Sequence, residues 1–547
     1  MRRTMALRFV SWAFAFSCMV PAFGSGADAE RSARVDAVFA EYQRADSPGC
    51  ALGVFRRGAI DYARGYGMAN LELGAAITPS TVFDIGSTSK QFSAFAILLL
   101  EQEGKLDIDD DVRKYVPELP HYGPTLTLRH LMQHTSGLRD YLELFWLGGV
   151  HWKDVTTAQD ALDAIVRQKA LNFEPGDEYL YSNSGFFLLS EIVKQVSGKT
   201  LAEFARERIF EPLGMRHTRY LDDPQDIVPN RATGYARTDE GELEIEMSDF
   251  EQTGDGAVYT TVEDLFLWDR NFYHPRVGTA EMLALMQTPG TLQSGKPITY
   301  GLGLQMRDYR GLWSVSHGGS WAGYRAELLR FPDQELSVAC LCNLGGTDPS
   351  DLASKVAEVY LESEMTPAET PKEAAFVTLP DGELESRAGT YRETSGDFLF
   401  VSVKEGKLLA EIGGSSASFR PLSATHFLAE SSPSVEISFE GEGLSFRRRG
   451  ETLNFTRIEP WRPSELEGFR GRYRSEEITG TLDVEVNGGA LRIRHRTIPP
   501  DPLKPTIRDS FYLEGLSFRF TRDRRGEVDG FTLDMGRVKG IAYSRER

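Results

Sequence analysis

The sequence predicts an α+β domain followed by two small all-β units, on three observations. Residues 50–66, "CALGVFRRGAIDYARGY", alternate like two antiparallel strands around the turn signal "RRG". Residues 92–100 are apolar on nearly every side, the pattern of a helix buried all round. Near the C-terminus the chain repeats itself: "LESRAGTYR" at 384–392 matches "LEGFRGRYR" at 466–474.

Taken in chain order, the elements fall into five parts. At 547 residues the chain exceeds what one hydrophobic core supports. Residues 1–29 read as a secretory leader: Arg2, Arg3 and Arg8, then the apolar "FVSWAFAFSCMVPAF", then small residues ending at Ala27-Asp28-Ala29. That leader implies a periplasmic or secreted protein. Residues 30–362 follow as one unit. Its strands at the start, helical middle, closing strands ("LWSVSHGG", "YRAELLRFP", "LSVACLCNL") and final helix make an antiparallel sheet flanked by helices. The Pro-containing stretch 363–380 is a linker. Residues 381–460 and 461–547 are the repeats, short alternating runs with Gly turns that read as antiparallel barrels or sandwiches. Neither repeat holds an evident catalytic constellation. Shaping access, binding an extended ligand or mediating contacts is the role expected of them.

Bulk composition is that of an ordinary globular protein, 41% hydrophobic and 26% charged. A formal net charge of −19 argues against nucleic acid or an anionic membrane surface as a main partner. No stretch beyond the leader is long enough to span a bilayer. Past the leader, Cys50, Cys340 and Cys342 remain, an odd number that rules out a full disulfide framework. Cys340 and Cys342 read as small core hydrophobes in a buried strand, with a Cys50 bridge to either one left open. Without a CxxC motif or clustered His, no metal site is expected.

The chemistry begins at "STSK". Ser87 and Lys90 are three apart and share one face of a helical turn. A lysine there meets the positive end of the helix macrodipole, and burial makes it costly unless paired or neutral. A desolvated lysine loses proton affinity and can take the proton of a neighbouring serine. Capping by Ser87 with Lys90 reaching to water is the structural alternative. Two further motifs decide between them: Tyr181-Ser182-Asn183 before another apolar helical run, and His317-Gly318-Gly319-Ser320 at a strand end.

The order S-x-x-K, Y-x-N, H-G-G resembles the serine β-lactamase and penicillin-binding-protein superfamily, in the branch carrying a tyrosine: class C β-lactamases, D-aminopeptidases and related carboxylesterases. "LRHLMQHTSGL" (128–138) and "GDGAVYTTVEDLFLWDRN" (254–271) strengthen the resemblance, which covers about residues 34–362. It implies a β-lactamase-like catalytic domain working through an acyl-enzyme on Ser87, with Lys90 and Tyr181 as the other catalytic residues. Beside Lys90, Tyr181 is expected to ionise and act as base. Asn183, His317, Gly319 and Ser320 would bind substrate, and the N–H groups of Ser87 and Ser320 would form the oxyanion hole. No metal or organic cofactor is implied. His130 and His134, four apart, suit a metal in principle, but "HLMQH" lacks the Glu of a zincin and a structural role is favoured.

A catalytic domain followed by two β units is similar in plan to bacterial D-aminopeptidases. The implied substrate is a small peptide containing D-residues, peptidoglycan-derived peptides among them, or an ester. His317 stands where lactamases usually carry a lysine, which puts β-lactamase activity in doubt. An aminopeptidase needs an anion for the substrate ammonium, and Asp255 is the candidate. A carboxypeptidase needs a cation, for which Arg325 is nearest in sequence. An esterase needs an apolar cleft, for which Trp313, Trp321 and Tyr324 are candidates. A non-catalytic binder of peptidoglycan fragments is disfavoured because Ser87, Lys90 and Tyr181 are all intact. Oligomeric state is not legible.

Overall fold

The computed structural model describes residues 26–367, 375–394, 396–430, 432–448 and 451–546. Of the leader at 1–29, residues 1–25 lie outside these, and 26–29 belong to the first turns of helix α1 (Gly26–Val38). Residues 368–374 of the expected linker also lie outside them. Among the described residues no helix is long and apolar enough to cross a membrane.

The first unit is built on one antiparallel sheet. Its strands are β1 (Cys50–Arg56), β2 (Ala59–Tyr66), β3 (Gln305–Tyr309), β4 (Leu312–Trp321), β5 (Tyr324–Phe331) and β6 (Leu336–Cys342). They lie in the order β3-β4-β5-β6-β1-β2. The two ends of the chain segment therefore meet at the sheet centre, where β1 pairs with β6. Although β1 alternates in sequence, it is buried on both faces, because a central strand of a covered sheet has no solvent side. Edge strand β2 is mostly exposed.

One face of the sheet packs α1 and α6 (Pro349–Leu361), with Val35, Phe39, Leu52, Val54, Leu329, Val338 and Val356 in that core. The other face receives the helical middle: α2 (Lys90–Gln102), α3 (Tyr141–Leu147), α4 (Asn183–Ser197) and α5 (Val262–Tyr273). As the sequence predicts, α2 is buried on every side from Lys90 to Leu100. Capping fixes several ends: Thr261 accepts from Asp264 N–H at the start of α5, and Asp348 accepts from Ser350 and Asp351 N–H at the start of α6.

The two repeats take different forms. Eight strands between Gly389–Glu393 and Glu451–Ile458 close into a barrel, since the first and last strands pair with each other. The second repeat forms an eight-stranded sheet that stays open. Its last two strands, β7 (Val528–Met535) and β8 (Val538–Arg545), make a hairpin whose turn faces the first unit. Helix α3 binds the units together: its Leu144 and Leu147 belong to the core of the second repeat, beside Phe469 and Tyr473.

Cys50 lies directly opposite Cys342 in the sheet and is disulfide-bonded to it, while Cys340 is a buried thiol. Register decides between the two partners, because Leu52 occupies the place opposite Cys340.

Candidate active site

Ser87 lies in a single 3₁₀ turn (Gly86–Ser89), and Lys90 is the first residue of α2. The turn is clamped to strand β4. The Gly86 N–H donates to Asp84 Oδ1 at 2.7 Å, and Thr88 Oγ1 donates to the His317 carbonyl at 3.0 Å. Gly319 is so close that a Cβ there would fall 1.8 Å from the Ile85 carbonyl oxygen. Any side chain at Gly319 would push β4 away from the turn, so this glycine brings Ser320 up to Ser87.

Lys90 is fully buried. Its Nζ is 3.1 Å from Ser87 Oγ, 2.8 Å from Asn183 Oδ1 and 2.5 Å from the Asp255 carbonyl oxygen. The two carbonyl oxygens can only accept, so a neutral amine spends both N–H bonds on them and turns its lone pair to the Ser87 hydroxyl. Burial pushes the Lys90 pKa down, with Asp255 and Asp140 partly offsetting it, which favours that neutral form.

Tyr181 also reaches the site, its ring 4.9 Å from Lys90 Nζ. The expectation that Lys90 favours a Tyr181 phenolate is not met. Burial raises the phenol's pKa well above its ordinary value, and the nearby Ser87 hydroxyl and Arg537 only partly counter it. Tyr181 therefore rests as a neutral phenol, and among the described residues its hydroxyl finds no hydrogen-bond partner of ordinary geometry. Asn183 opens α4, its N–H donating to Asp140 Oδ2 at 2.7 Å. His134, buried against Tyr181 at 4.1 Å between rings, accepts the Ser182 N–H through Nδ1 at 3.1 Å and so holds the Y-x-N segment in place. His130 completes a capping box with Thr127.

His317 is neutral. Its Nδ1 lies 2.6 Å from the Gly318 carbonyl oxygen and must donate, so Nε2 accepts from the Tyr300 hydroxyl at 2.7 Å. Burial, reinforced by Lys90, lowers its pKa to about 3. No fixed cation stands at this position.

Ser87, Tyr181 and Ser320 lie where two lobes of a cleft meet. The inner lobe, about 260 Å³, is walled by Tyr141, Asn183, Phe250, Asp255, Trp321 and Arg537. The outer lobe, about 590 Å³, runs past Tyr179, Tyr300, His317, Gly319 and Arg325. Asp255 is buried, its Oδ2 accepting from the Tyr141 hydroxyl at 3.1 Å. Burial raises its pKa, with Lys90 opposing. Of the three aromatic residues expected to line a cleft, only Trp321 does so. Trp313 is exposed at the far end of β4, and Tyr324 is buried with its hydroxyl on the Ala232 carbonyl. Arg325 spends Nη1 on the carbonyls of Ala322 and Tyr324, at 2.8 and 2.6 Å.

Sequence reasoning missed Asp140 and Arg537. Asp140 is fully buried, caps α3 through the N–H groups of Leu142 and Glu143, and lies 3.2 Å from Arg537 Nη1. Arg537 sits in the β7–β8 turn of the second repeat, where "MGRV" carries no signal beyond that of a turn.

The Beta-lactamase family model matches residues 35–360, which hold every residue of the Ser87 cleft except Arg537. The chain belongs to the beta-lactamase family. Within that family it is similar to the D-aminopeptidase of Brucella anthropi, 26% identical over 523 residues, with 92% of this chain and 96% of that protein covered. Penicillin-binding protein 4* of Bacillus subtilis is 31% identical over 407 residues, covering 70% of this chain and 88% of that one. Among solved structures, the octameric penicillin-binding protein homologue of Pyrococcus abyssi superposes with a TM-score of 0.57 at 25% identity, covering 78% of this chain and 99% of that one. This beta-lactamase-family chain thus has the fold and relatives of a serine hydrolase.

Proposed function

We propose that the protein hydrolyses amide bonds of short peptides containing D-residues, through an acyl-enzyme on Ser87. The observation that carries the reading is the Lys90 amine, fully buried and 3.1 Å from Ser87 Oγ, with burial lowering its proton affinity. The Ser87 oxygen attacks the scissile carbonyl carbon while its proton passes to Lys90 Nζ. The carbonyl oxygen gathers negative charge between the N–H groups of Ser87 and Ser320, worth about 2.7–4 kcal/mol per donor. Collapse expels the leaving amine, which takes the proton from Lys90, with the neutral Tyr181 hydroxyl as the proposed relay. Water then attacks the acyl carbon and the steps run in reverse.

A relative covering 92% of the chain is a D-aminopeptidase, which supports an amide substrate with a free amine. In that reading Asp255, on the wall of the small inner lobe, faces the ammonium. The absence of a cation at His317 fits poorly with a β-lactam carboxylate. Export is part of the proposal, supported by the leader pattern and by the Cys50–Cys342 bridge, which suits an oxidising compartment. N-terminal sequencing of the protein from its native host tests that part: a start at Glu30 is expected, and a start within residues 1–25 overturns it.

The functional test compares initial rates on D-alanine p-nitroanilide and its N-acetylated twin, with Ser87→Ala as the blank. Cleavage of the free-amine compound alone is expected. Equal cleavage of both would turn the reading toward a carboxylesterase or general amidase. Wild-type rates from Ser87→Ala would overturn the nucleophile assignment.

A further inference from the structure

We propose that Arg537 is a positioning residue for the Ser87–Lys90 pair, so that the second β repeat completes the catalytic site. This rests on the roles of Ser87 and Lys90 given above.

The geometry forms an unbroken chain from one unit to the other. Arg537 Nη1 is 3.2 Å from Asp140 Oδ2, the same oxygen that accepts the Asn183 N–H at 2.7 Å. Asn183 Oδ1 in turn accepts from Lys90 Nζ at 2.8 Å. Arg537, though partly exposed, is itself held by three further hydrogen bonds. Its Nε and its backbone N–H both donate to the Glu143 carboxylate, at 2.8 and 2.7 Å, and its carbonyl accepts from Asn172 Nδ2 at 2.8 Å. Gly536 makes this approach possible: a Cβ there would lie 2.9 Å from Glu143 Oε1.

Docking of the two units does not need this arrangement. The buried Arg139–Glu477 ion pair at 2.5 Å, the Gln168 amide on the Glu477 carbonyl, and Leu144 and Leu147 in the second repeat's core already join them. What Arg537 adds is charge. Asp140 is a carboxylate with no exposed surface, and a buried charge without a partner is costly and felt by its neighbours. The groups facing Lys90 are Asp255 from its loop, Asp140 and Tyr141 from the start of α3, Tyr181 before α4, His134, His317 from β4, and Arg537 from the hairpin. His134 and His317 stay neutral, so Arg537 is the cation in this set that offsets the two carboxylates. It keeps them from drawing a proton onto Lys90.

The test is the pH dependence of kcat/KM for the full-length protein on whichever of the two anilides it cleaves. Removing the cation in Arg537→Met should let Lys90 hold its proton to higher pH. The acid limb then moves up by about 0.5–1 pH unit. Arg537→Lys should restore the limb. Asp140→Asn, which removes the opposing charge, should move the limb down. Glu477→Gln, which loosens docking alone, should lower Tm and leave the limb in place. An unmoved limb in Arg537→Met would overturn the proposal and leave Arg537 a docking residue. If that variant does not fold, Asp140→Asn decides: a downward shift upholds the proposal and no shift overturns it. Failure of the nucleophile reading shows separately, as Ser87→Ala turning over like wild type.

Discussion

Lys90 Nζ lies 2.8 Å from Asn183 Oδ1, a contact that joins two motifs 93 residues apart in the chain. It holds the amine against the serine and at the same time occupies an N–H that would otherwise seek a proton-accepting partner elsewhere. A lysine at a helix start, unfavourable on local grounds, is accommodated because two carbonyl oxygens and one hydroxyl meet it there.

Lys90→Arg is expected to lose activity by about 10²–10⁴-fold, because a guanidinium cannot give up its proton near neutral pH. Steady-state rates on D-alanine p-nitroanilide measure this. Activity above a tenth of wild type would remove Lys90 as the base.

The rate should rise with pH through a value well below the ordinary lysine pKa of about 10.4, since only the neutral amine accepts the Ser87 proton. A kcat/KM profile that climbs only above pH 10 would contradict the buried, proton-poor Lys90.

Stability should fall as pH drops from about 6.5 toward 3. Unfolded His317 binds a proton below about 6.5, whereas burial and then Lys90 delay protonation in the folded protein to about 3. The unfolded state therefore holds more protons across that window, and His134, also lowered by burial, acts in the same sense. Denaturant titrations of wild type and His317→Gln at pH 7 and pH 4.5 test this. The variant should lose about 2–3 kcal/mol less between the two pH values.

Gly319→Ala should cost at least about tenfold in kcat/KM, since one oxyanion donor depends on the approach of Ser320 to Ser87. A Cβ 1.8 Å from the Ile85 carbonyl oxygen forces the strand and the turn apart. Unchanged kcat would show that Ser320 does not serve the oxyanion.

Reduction of the Cys50–Cys342 bridge should lower stability by about 2–5 kcal/mol, because it ties two strands 292 residues apart in sequence. Thermal melts with and without reductant read this directly. In the native oxidised protein the Cys340 thiol should resist alkylation, since it is fully buried and burial raises its pKa.

The catalytic motifs were legible because their meaning is local. Ser87 and Lys90 share a face by virtue of three-residue spacing, and the buried helix behind them announces itself by uniform apolarity. The α+β plan and the two all-β repeats could likewise be read from periodicity and self-similarity. His317 could be recognised as a departure from lysine, though its neutrality depends on burial and its tautomer on contacts with Gly318 and Tyr300, which no motif marks.

Other features belong to tertiary structure. Whether Cys50 meets Cys340 or Cys342 is a matter of strand register, and Leu52 opposite Cys340 settles it. The protonation of Tyr181 follows from how deeply the fold buries it, against what its charged neighbour alone suggests. Two repeats with matching sequence end as one closed barrel and one open sheet: in both the first and last strands pair, but in the second the strands at Ala490–Arg494 and Lys504–Pro505 stay apart as edges. Arg537 reaches the cleft because α3 and the Arg139–Glu477 pair anchor the second repeat beside it. Residue spacing specifies what a turn of helix or a strand presents on each face. Register, burial and docking depend on contacts between segments far apart in the chain, and those exist only once the whole chain has packed.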